Sequence, residues 1–304
     1  MTLGQPYIGA DHSPKLLREA GLLENLESIG WLVHDNGDLD ISAENTVGIN
    51  DELYSAHNSQ IVGKGCEILA QAVVDAIKKD RFPLILGGDH SIGAGSLAGL
   101  LKGRPNTGVI WVDAHADLNT PEMSESGNMH GMPVGLLMKG MVKQNSMIPG
   151  FEWLDSEEMR DVRLDPDSIV YIGLRDVDAK EREILREKKI RCFTMYDIDK
   201  DGIGGVMEKA LDHLLQKDPN RPLHLSYDID AVDPHIAQAT GTTGRGGLTY
   251  REAHFVAEAA ARSGNLASAE IVELNPSLSN DSGAAETMEL GLGLLTSLMG
   301  KSII

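Results

Sequence analysis

Residues 108–119, GVIWVDAHADLN, decide the fold and contain part of a candidate site. The stretch Gly108–Val112 is apolar without alternation, which is typical of a strand that is buried on both faces. Three polar residues, Asp113, His115 and Asp117, follow at once. Because side chains two residues apart in an extended chain point the same way, we expect these three to converge beyond the end of the strand.

Five other short apolar runs, separated by segments with helical periodicity, have the same buried-strand character. These runs are Pro83–Leu86, Ser168–Ile172, Arg191–Thr194, Leu223–Ser226 and Ala269–Val272. The alternation predicts an α/β fold, a single domain over residues 1–304 built as a three-layer α/β/α sandwich around a mainly parallel sheet. A closed β/α barrel is the structural alternative. In both architectures, ligands bind beyond the carboxyl ends of the strands.

Three helices are predicted near these strands. A helix over residues 13–30 begins with Ser13 before Pro14, which is a common helix start. A second helix is expected from Asp51 to Lys79, and a third, rich in small residues, over residues 92–101.

The composition excludes several classes of protein. The 304 residues include 27 Lys plus Arg and 46 Asp plus Glu, which gives a net charge of −19. Nucleic acids and anionic membranes need a basic face, so we expect neither as a partner; a cationic substrate or metal ions suit the charge. No apolar run reaches the length of a membrane span, and no signal-peptide pattern is visible. Two distant cysteines, Cys66 and Cys192, favour a reducing compartment, and we expect a cytoplasmic protein.

Two more polar clusters follow predicted strands. GGDHS contains His90, and SYDIDAVDP contains Asp228 and Asp230. Together with the first cluster they provide four carboxylates and two imidazoles, and carboxylates this close stay charged only beside cations. Two divalent ions would balance four carboxylates, and oxygen-rich ligation with some imidazole suits manganese, or cobalt or zinc by substitution.

Neighbouring residues in these clusters have simpler explanations. We interpret Asp89 and Asp233 as turn or helix caps, His224 as a core histidine, and His235 as a residue outside the cluster. The sequence contains no phosphate-binding P-loop, no dinucleotide-binding glycine motif after a strand and no GxSxG nucleophile motif.

The three clusters resemble the metal motifs of the ureohydrolase family, which includes arginases and agmatinases. SGNMHGMPV (126–134), GLRDVD (173–178), ATGTTGRGGLTYRE (239–252) and VELNPSL (272–278) are similar to segments of the arginase branch, and the likeness covers nearly the whole chain. The resemblance implies a sandwich around an eight-stranded sheet. It also implies hydrolysis of L-arginine to L-ornithine and urea by a hydroxide that bridges two Mn²⁺ ions per subunit, with Co²⁺ or another divalent ion possible by substitution.

By the same resemblance, one ion is expected on His90, Asp113, Asp117 and Asp228, and the other on His115, Asp113, Asp228 and Asp230. The expected catalytic residues are Asp117, which receives the proton of the nucleophile, His130, which shuttles protons, and Glu273, which pairs with the guanidinium. The expected substrate-binding residues are Asn119, Ser124, Ser126, Asp178, Glu181 and Thr242.

Several alternatives stay open at this point. Glu273 can instead cap a strand end, and Glu181 can be a solvated helix residue. The substrate can be another guanidino compound such as agmatine, or the protein can be a non-catalytic relative.

The family resemblance also implies a homotrimer or homohexamer.

Overall fold

The computed structural model describes residues 1–41 and 56–301, in which six strands form one parallel sheet. The order across the sheet is β1-β6-β5-β2-β3-β4, and every neighbouring pair is parallel. The strands are β1 Leu84–Leu86, β2 Gly108–Val112, β3 Ile169–Leu174, β4 Arg191–Thr194, β5 Leu223–Asp228 and β6 Leu266–Val272. The α/β prediction is confirmed, and because β1 and β4 are open edges within the described ranges, the barrel alternative is wrong.

The strand count differs from the resemblance, which implies eight strands where the described residues contain six. Residues 31–41 form no strand. Trp31 is fixed by side-chain contacts: its ring packs edge-on against Phe82 at 5.6 Å, and its Nε1 donates to the Met299 carbonyl at 2.8 Å. These contacts attach Trp31 to the residue two positions before β1 and to the end of the helix Asp281–Leu298.

Nine α-helices lie in the described ranges. They are α1 Ser13–Glu19, α2 Leu22–Ser28, α3 Ser59–Lys78, α4 Gly93–Gly103, α5 Pro133–Leu137, α6 Ala179–Glu187, α7 Met195–Leu215, α8 Tyr250–Arg262 and α9 Asp281–Leu298. The helix expected over residues 13–30 is divided in two, because Gly21 adopts a left-handed φ of 87° that an α-helix does not accommodate. The helix expected from Asp51 begins only at Ser59, after the left-handed Asn58; residues 51–55 lie outside the described residues.

Both faces of the sheet are buried. Along β2, Val109 and Trp111 pack into a core with α3 and α4, whereas Ile110 and Val112 face the core formed with α7, α8 and α9. Each fully buried Val or Ile side chain contributes about 1.5–3 kcal/mol to folding stability, so β2 is firmly held in the sheet. No helix of the described ranges combines the length and apolar character needed to cross a membrane.

The strand order positions the site. β1, β6, β5 and β2 are consecutive neighbours and run in the same direction. The polar segments that follow them therefore emerge side by side at one edge of the sheet, as parallel α/β sheets arrange their ligand sites.

Candidate metal centre

Three carboxylates surround the imidazole of His90, which lies in the loop after β1. Its Nδ1 is 3.0 Å from an oxygen of each of Asp113, Asp117 and Asp228. The side chains of all four residues are 8% exposed or less, so these donor atoms meet in a site that is closed to bulk water.

A second group of donors shares Asp113 with the first. His115 Nδ1 lies 3.3 Å from Asp113 Oδ1 and 3.0 Å from Asp230 Oδ2. Its side chain is 23% exposed, the highest value among the six candidate ligands, so the centre opens toward solvent on this side. The donor atoms thus form two adjacent groups, each able to hold a cation, joined by one carboxylate.

The negative charge of the buried carboxylates requires compensation by cations. Burial and the charge of Asp113 raise the pKa of Asp117 to about 6. Burial and the charges of Asp230 and Asp113 raise the pKa of Asp228 well above its usual value. Four buried carboxylates in contact are costly without compensating charge. Their oxygens and the two imidazole nitrogens are also the donor types that manganese accepts. The residues therefore fit a pair of divalent metal ions.

Outer contacts fix the orientation of the donors. The indole Nε1 of Trp111 donates to Asp113 Oδ2 at 3.0 Å, and the Trp111 ring stacks on His90 with centroids 4.2 Å apart. The Ser226 hydroxyl contacts His90 Nε2 at 2.8 Å, which leaves Nδ1 for a metal. Such outer contacts tune metal sites. Sequence reasoning missed Trp111 and Ser226, although each stands two residues before a predicted ligand and so shares its face of the strand.

Glu273 follows β6 and lies beside the first donor group. Its side chain is 1% exposed, and Oε1 accepts a hydrogen bond from the His90 backbone N–H at 2.8 Å. Oε1 also faces His130 Nδ1 at 3.2 Å. The helical turn Pro276–Leu278 is capped by Asn275, whose Oδ1 accepts from Ser277 N, so Glu273 takes no part in that cap.

Both Glu273 and Asp117 have left-handed backbones, with φ of 64° and 50°. Residues other than glycine adopt such angles at a cost of order 1–3 kcal/mol, and they cluster at functional sites. Burial alone would lower the pKa of His130, but its hydrogen bond to the Glu273 carboxylate and the charge of that group outweigh burial and raise the pKa to about 9.

The residues expected to bind the substrate lie on three loops, which follow β2, β3 and β5. Asn119 Nδ2 donates to Asp178 Oδ2 at 3.0 Å. The hydroxyls of Ser124 and Ser126 accept from backbone N–H groups within their own loop, at 2.9 and 3.3 Å. Thr242 donates to Asp230 Oδ2 at 3.0 Å and so adjoins the second donor group. Thr242 is thus in contact with a candidate ligand, Asn119 and Asp178 contact each other, and the contacts of Ser124 and Ser126 stay within their loop.

Comparison with known proteins gives the family. The model of the arginase family matches residues 1–300. The chain belongs to the arginase family. An arginase of Glaciozyma antarctica is 41% identical over 99% of this chain and 86% of its own length. The crystal structure of arginase from Bacillus caldovelox superposes with a TM-score of 0.85 at 37% identity, covering 100% of this chain and 97% of that one. An Entamoeba histolytica arginase, solved in complex with L-ornithine, has a TM-score of 0.84 at 30% identity over 99% of this chain and 95% of its own.

Glu181 is buried, so the alternative that it is a solvated helix residue is wrong. Its side chain is 3% exposed, and its carboxylate accepts from Leu118 N at 2.8 Å and from Asp178 N at 3.1 Å. It is the third residue of α6 and the partner of Asp178 in a capping box. Glu181 therefore joins the Asp117–Asn119 segment to Asp178.

The simple explanations of the neighbouring residues are confirmed. Asp89 caps the short helical turn that starts at His90 by accepting from Ser91 N. Asp233 accepts from the backbone N–H groups of His235, Gly246 and Gly247 and so closes a turn. His224 is fully buried, and its Nδ1 contacts the Ser268 hydroxyl at 3.0 Å.

Proposed function

We propose that the protein hydrolyses L-arginine to L-ornithine and urea with two Mn²⁺ ions per subunit. The observation that carries the proposal is the shared carboxylate of Asp113, which lies between a buried His90 group and a more open His115 group. A single metal site does not need two donor groups joined in this way. Adjacent paired metals are typical of enzymes that activate water for attack.

The proposed ligands are the residues of the two groups, with Asp228 of the first group also contributing to the second, as the family resemblance implies. One ion would be held by His90, Asp113, Asp117 and Asp228, and the other by His115, Asp113, Asp228 and Asp230. When bound, the ions would lower the pKa of water enough to supply a nucleophile at neutral pH. Co²⁺ or another divalent ion could take the place of Mn²⁺ on this mixed oxygen and imidazole set.

The protein residues orient the substrate and move protons. Glu273 would pair with the guanidinium cation through charge-assisted hydrogen bonds, and Thr242 would line the pocket beside it. Asp117 would accept a proton from the attacking water and pass it to the departing amine. His130, next to Glu273 and 15% exposed, would exchange protons with solvent.

The amino-acid end of the substrate would be bound at the loops described above. Asn119, Ser124 and Ser126 supply amide and hydroxyl donors for the α-carboxylate. Asp178, supported by Glu181, supplies an acceptor for the α-ammonium. The Asn119–Asp178 hydrogen bond supports this assignment because it places a donor and an acceptor within 3.0 Å of each other.

Agmatine is the rival substrate, and it lacks the carboxylate that this set would bind. The deciding experiment measures urea from L-arginine and agmatine side by side, with chelated protein reconstituted with manganese, cobalt or zinc. We expect a higher kcat/KM for arginine and the highest activity with manganese. A preference for agmatine would overturn the substrate assignment. Failure of fully loaded protein to release urea from any guanidine would favour a non-catalytic relative.

The cellular setting is part of the same proposal. We place the enzyme in the cytoplasm, because both of its cysteines are free thiols and a reducing compartment keeps thiols free. The proposed reaction places it in arginine metabolism leading to urea. We propose a homotrimer or homohexamer; sedimentation of the metal-loaded protein tests this state.

A further inference from the structure

Gln5 makes a long-range contact with the carboxylate of Glu273. Its Nε2 lies 2.5 Å from Glu273 Oε2, and the two residues are 268 positions apart in the chain. The other oxygen, Oε1, is occupied by His90 N and His130 Nδ1. Gln5 therefore supplies the hydrogen bond to the oxygen that those two groups leave free.

The position of Gln5 is itself fixed by the site. Gln5 is only 5% exposed. The preceding residue, Gly4, donates to Asp89 Oδ2 at 3.0 Å, and its carbonyl accepts from His130 N at 3.0 Å. The two loops that carry His90 and His130 thus both bind the backbone next to Gln5.

The opposite side of the Gln5 amide packs against Gly241. A β-carbon on Gly241 would lie 2.2 Å from Gln5 Oε1, so the absence of a side chain at this position leaves room for the amide. Gly241 precedes Thr242, which contacts the metal ligand Asp230. Gln5 is therefore held between the Glu273 carboxylate and the loop that borders the second donor group.

This arrangement has a consequence for Glu273. The last torsion of a glutamate side chain is broad and roughly two-fold, so a carboxylate held at one oxygen can still rotate. A donor on each oxygen removes that freedom and aims the remaining lone pairs in one direction. A guanidinium requires such a fixed acceptor, and misplacement by about 1 Å can reduce turnover about 100-fold.

We infer that Gln5 is a positioning residue that orients the Glu273 carboxylate toward the guanidinium of the substrate. The inference rests on the proposed hydrolysis of arginine. It adds a residue of the amino-terminal segment to the machinery, although Gln5 touches neither the ligand cluster nor, by this account, the substrate itself.

Two variants separate positioning from simple packing. Gln5→Leu removes the donor at similar volume, and the nearly isosteric Gln5→Glu replaces the donor with a second carboxylate beside Glu273. The matched control is Thr2→Val, which removes the hydroxyl that accepts from Gly9 N at 3.0 Å in the same segment without touching Glu273. All proteins are compared with manganese loaded, by urea release, bound manganese and unfolding temperature.

We expect kcat for arginine to fall at least 10-fold in Gln5→Leu and further in Gln5→Glu, with KM changed less than 3-fold, because the amino-acid end of arginine is still bound. Bound manganese and the unfolding temperature should match those of Thr2→Val. If wild-type protein makes urea but both Gln5 variants keep kcat within 2-fold, the inference is wrong. It is also wrong if their activity falls only in proportion to lost manganese or lost folded protein. If wild-type protein makes no urea, the proposed function itself fails.

Discussion

The indole of Trp111 should strengthen manganese binding, and Trp111→Phe tests this directly. Its Nε1 donates to Asp113 Oδ2 at 3.0 Å in a fully buried setting, and Asp113 is the carboxylate shared by the two donor groups. Phenylalanine keeps an aromatic ring against His90 and removes only the donor. The substitution therefore isolates one hydrogen bond to a charged ligand.

The size of the effect follows from that hydrogen bond. Hydrogen bonds to charged groups contribute about 1.5–3 kcal/mol. Because about 1.4 kcal/mol corresponds to a factor of ten, manganese should bind about 10- to 100-fold more weakly. Loss of an outer partner at other metal sites has a similar effect.

Trp153→Phe is the matched control. Trp153 packs against the same core as Trp111, and its Nε1 donates to the Gly63 carbonyl at 3.1 Å, away from the candidate ligands. Manganese affinity would be measured by competition with a chelator, and folding by thermal unfolding. Equal manganese affinity in the two variants would refute the role assigned to Trp111.

Three further outcomes are expected. Asp228→Asn should retain fewer than two manganese ions per chain after gel filtration, and two tightly bound ions by metal analysis would remove Asp228 from the ligand set. Asp178→Ala should raise KM for arginine at least 10-fold while the unfolding temperature falls by only a few degrees, because Asp178 is exposed and the fold loses only a helix cap worth about 1 kcal/mol; an unchanged KM would argue against substrate contact. Burial raises the pKa of Glu181 from 4.5 to about 7, so the folded state keeps a proton that the unfolded state loses, and Glu181 increasingly destabilises the fold as the pH rises from 4.5 to 7. Denaturant unfolding of metal-free protein should therefore show the stability of wild type falling relative to Glu181→Gln by about 3 kcal/mol between these pH values; a constant difference would contradict the burial argument.

The sheet was predictable because its strands are continuously apolar. β2 and β4 have the predicted bounds, Gly108–Val112 and Arg191–Thr194. Helix starts were less predictable, since they depend on single residues: Gly21 divides the first predicted helix, and the left-handed Asn58 delays α3. The spacing of apolar residues does not predict such backbone angles.

The candidate ligands were predictable for a different reason. Each cluster directly follows a strand, so the parallel sheet brings the clusters together at one edge. Asp113, His115 and Asp117 do meet there, but not through an extended chain, because β2 ends at Val112 and Asp117 has a left-handed φ of 50°. Residues that act through long-range contacts leave no such local signal. Gln5 contacts Glu273 from 268 positions away in the chain, and the carboxylate of Glu181 accepts from Leu118 N, a contact that the sequence of α6 does not indicate.

The most direct test of the account is a manganese titration of chelated protein, followed by urea release from L-arginine. We predict no urea without metal and a rise in activity that reaches its plateau at two ions per chain. Full activity in metal-free protein, or a plateau at one ion, would contradict a catalytic centre built on two donor groups that share Asp113.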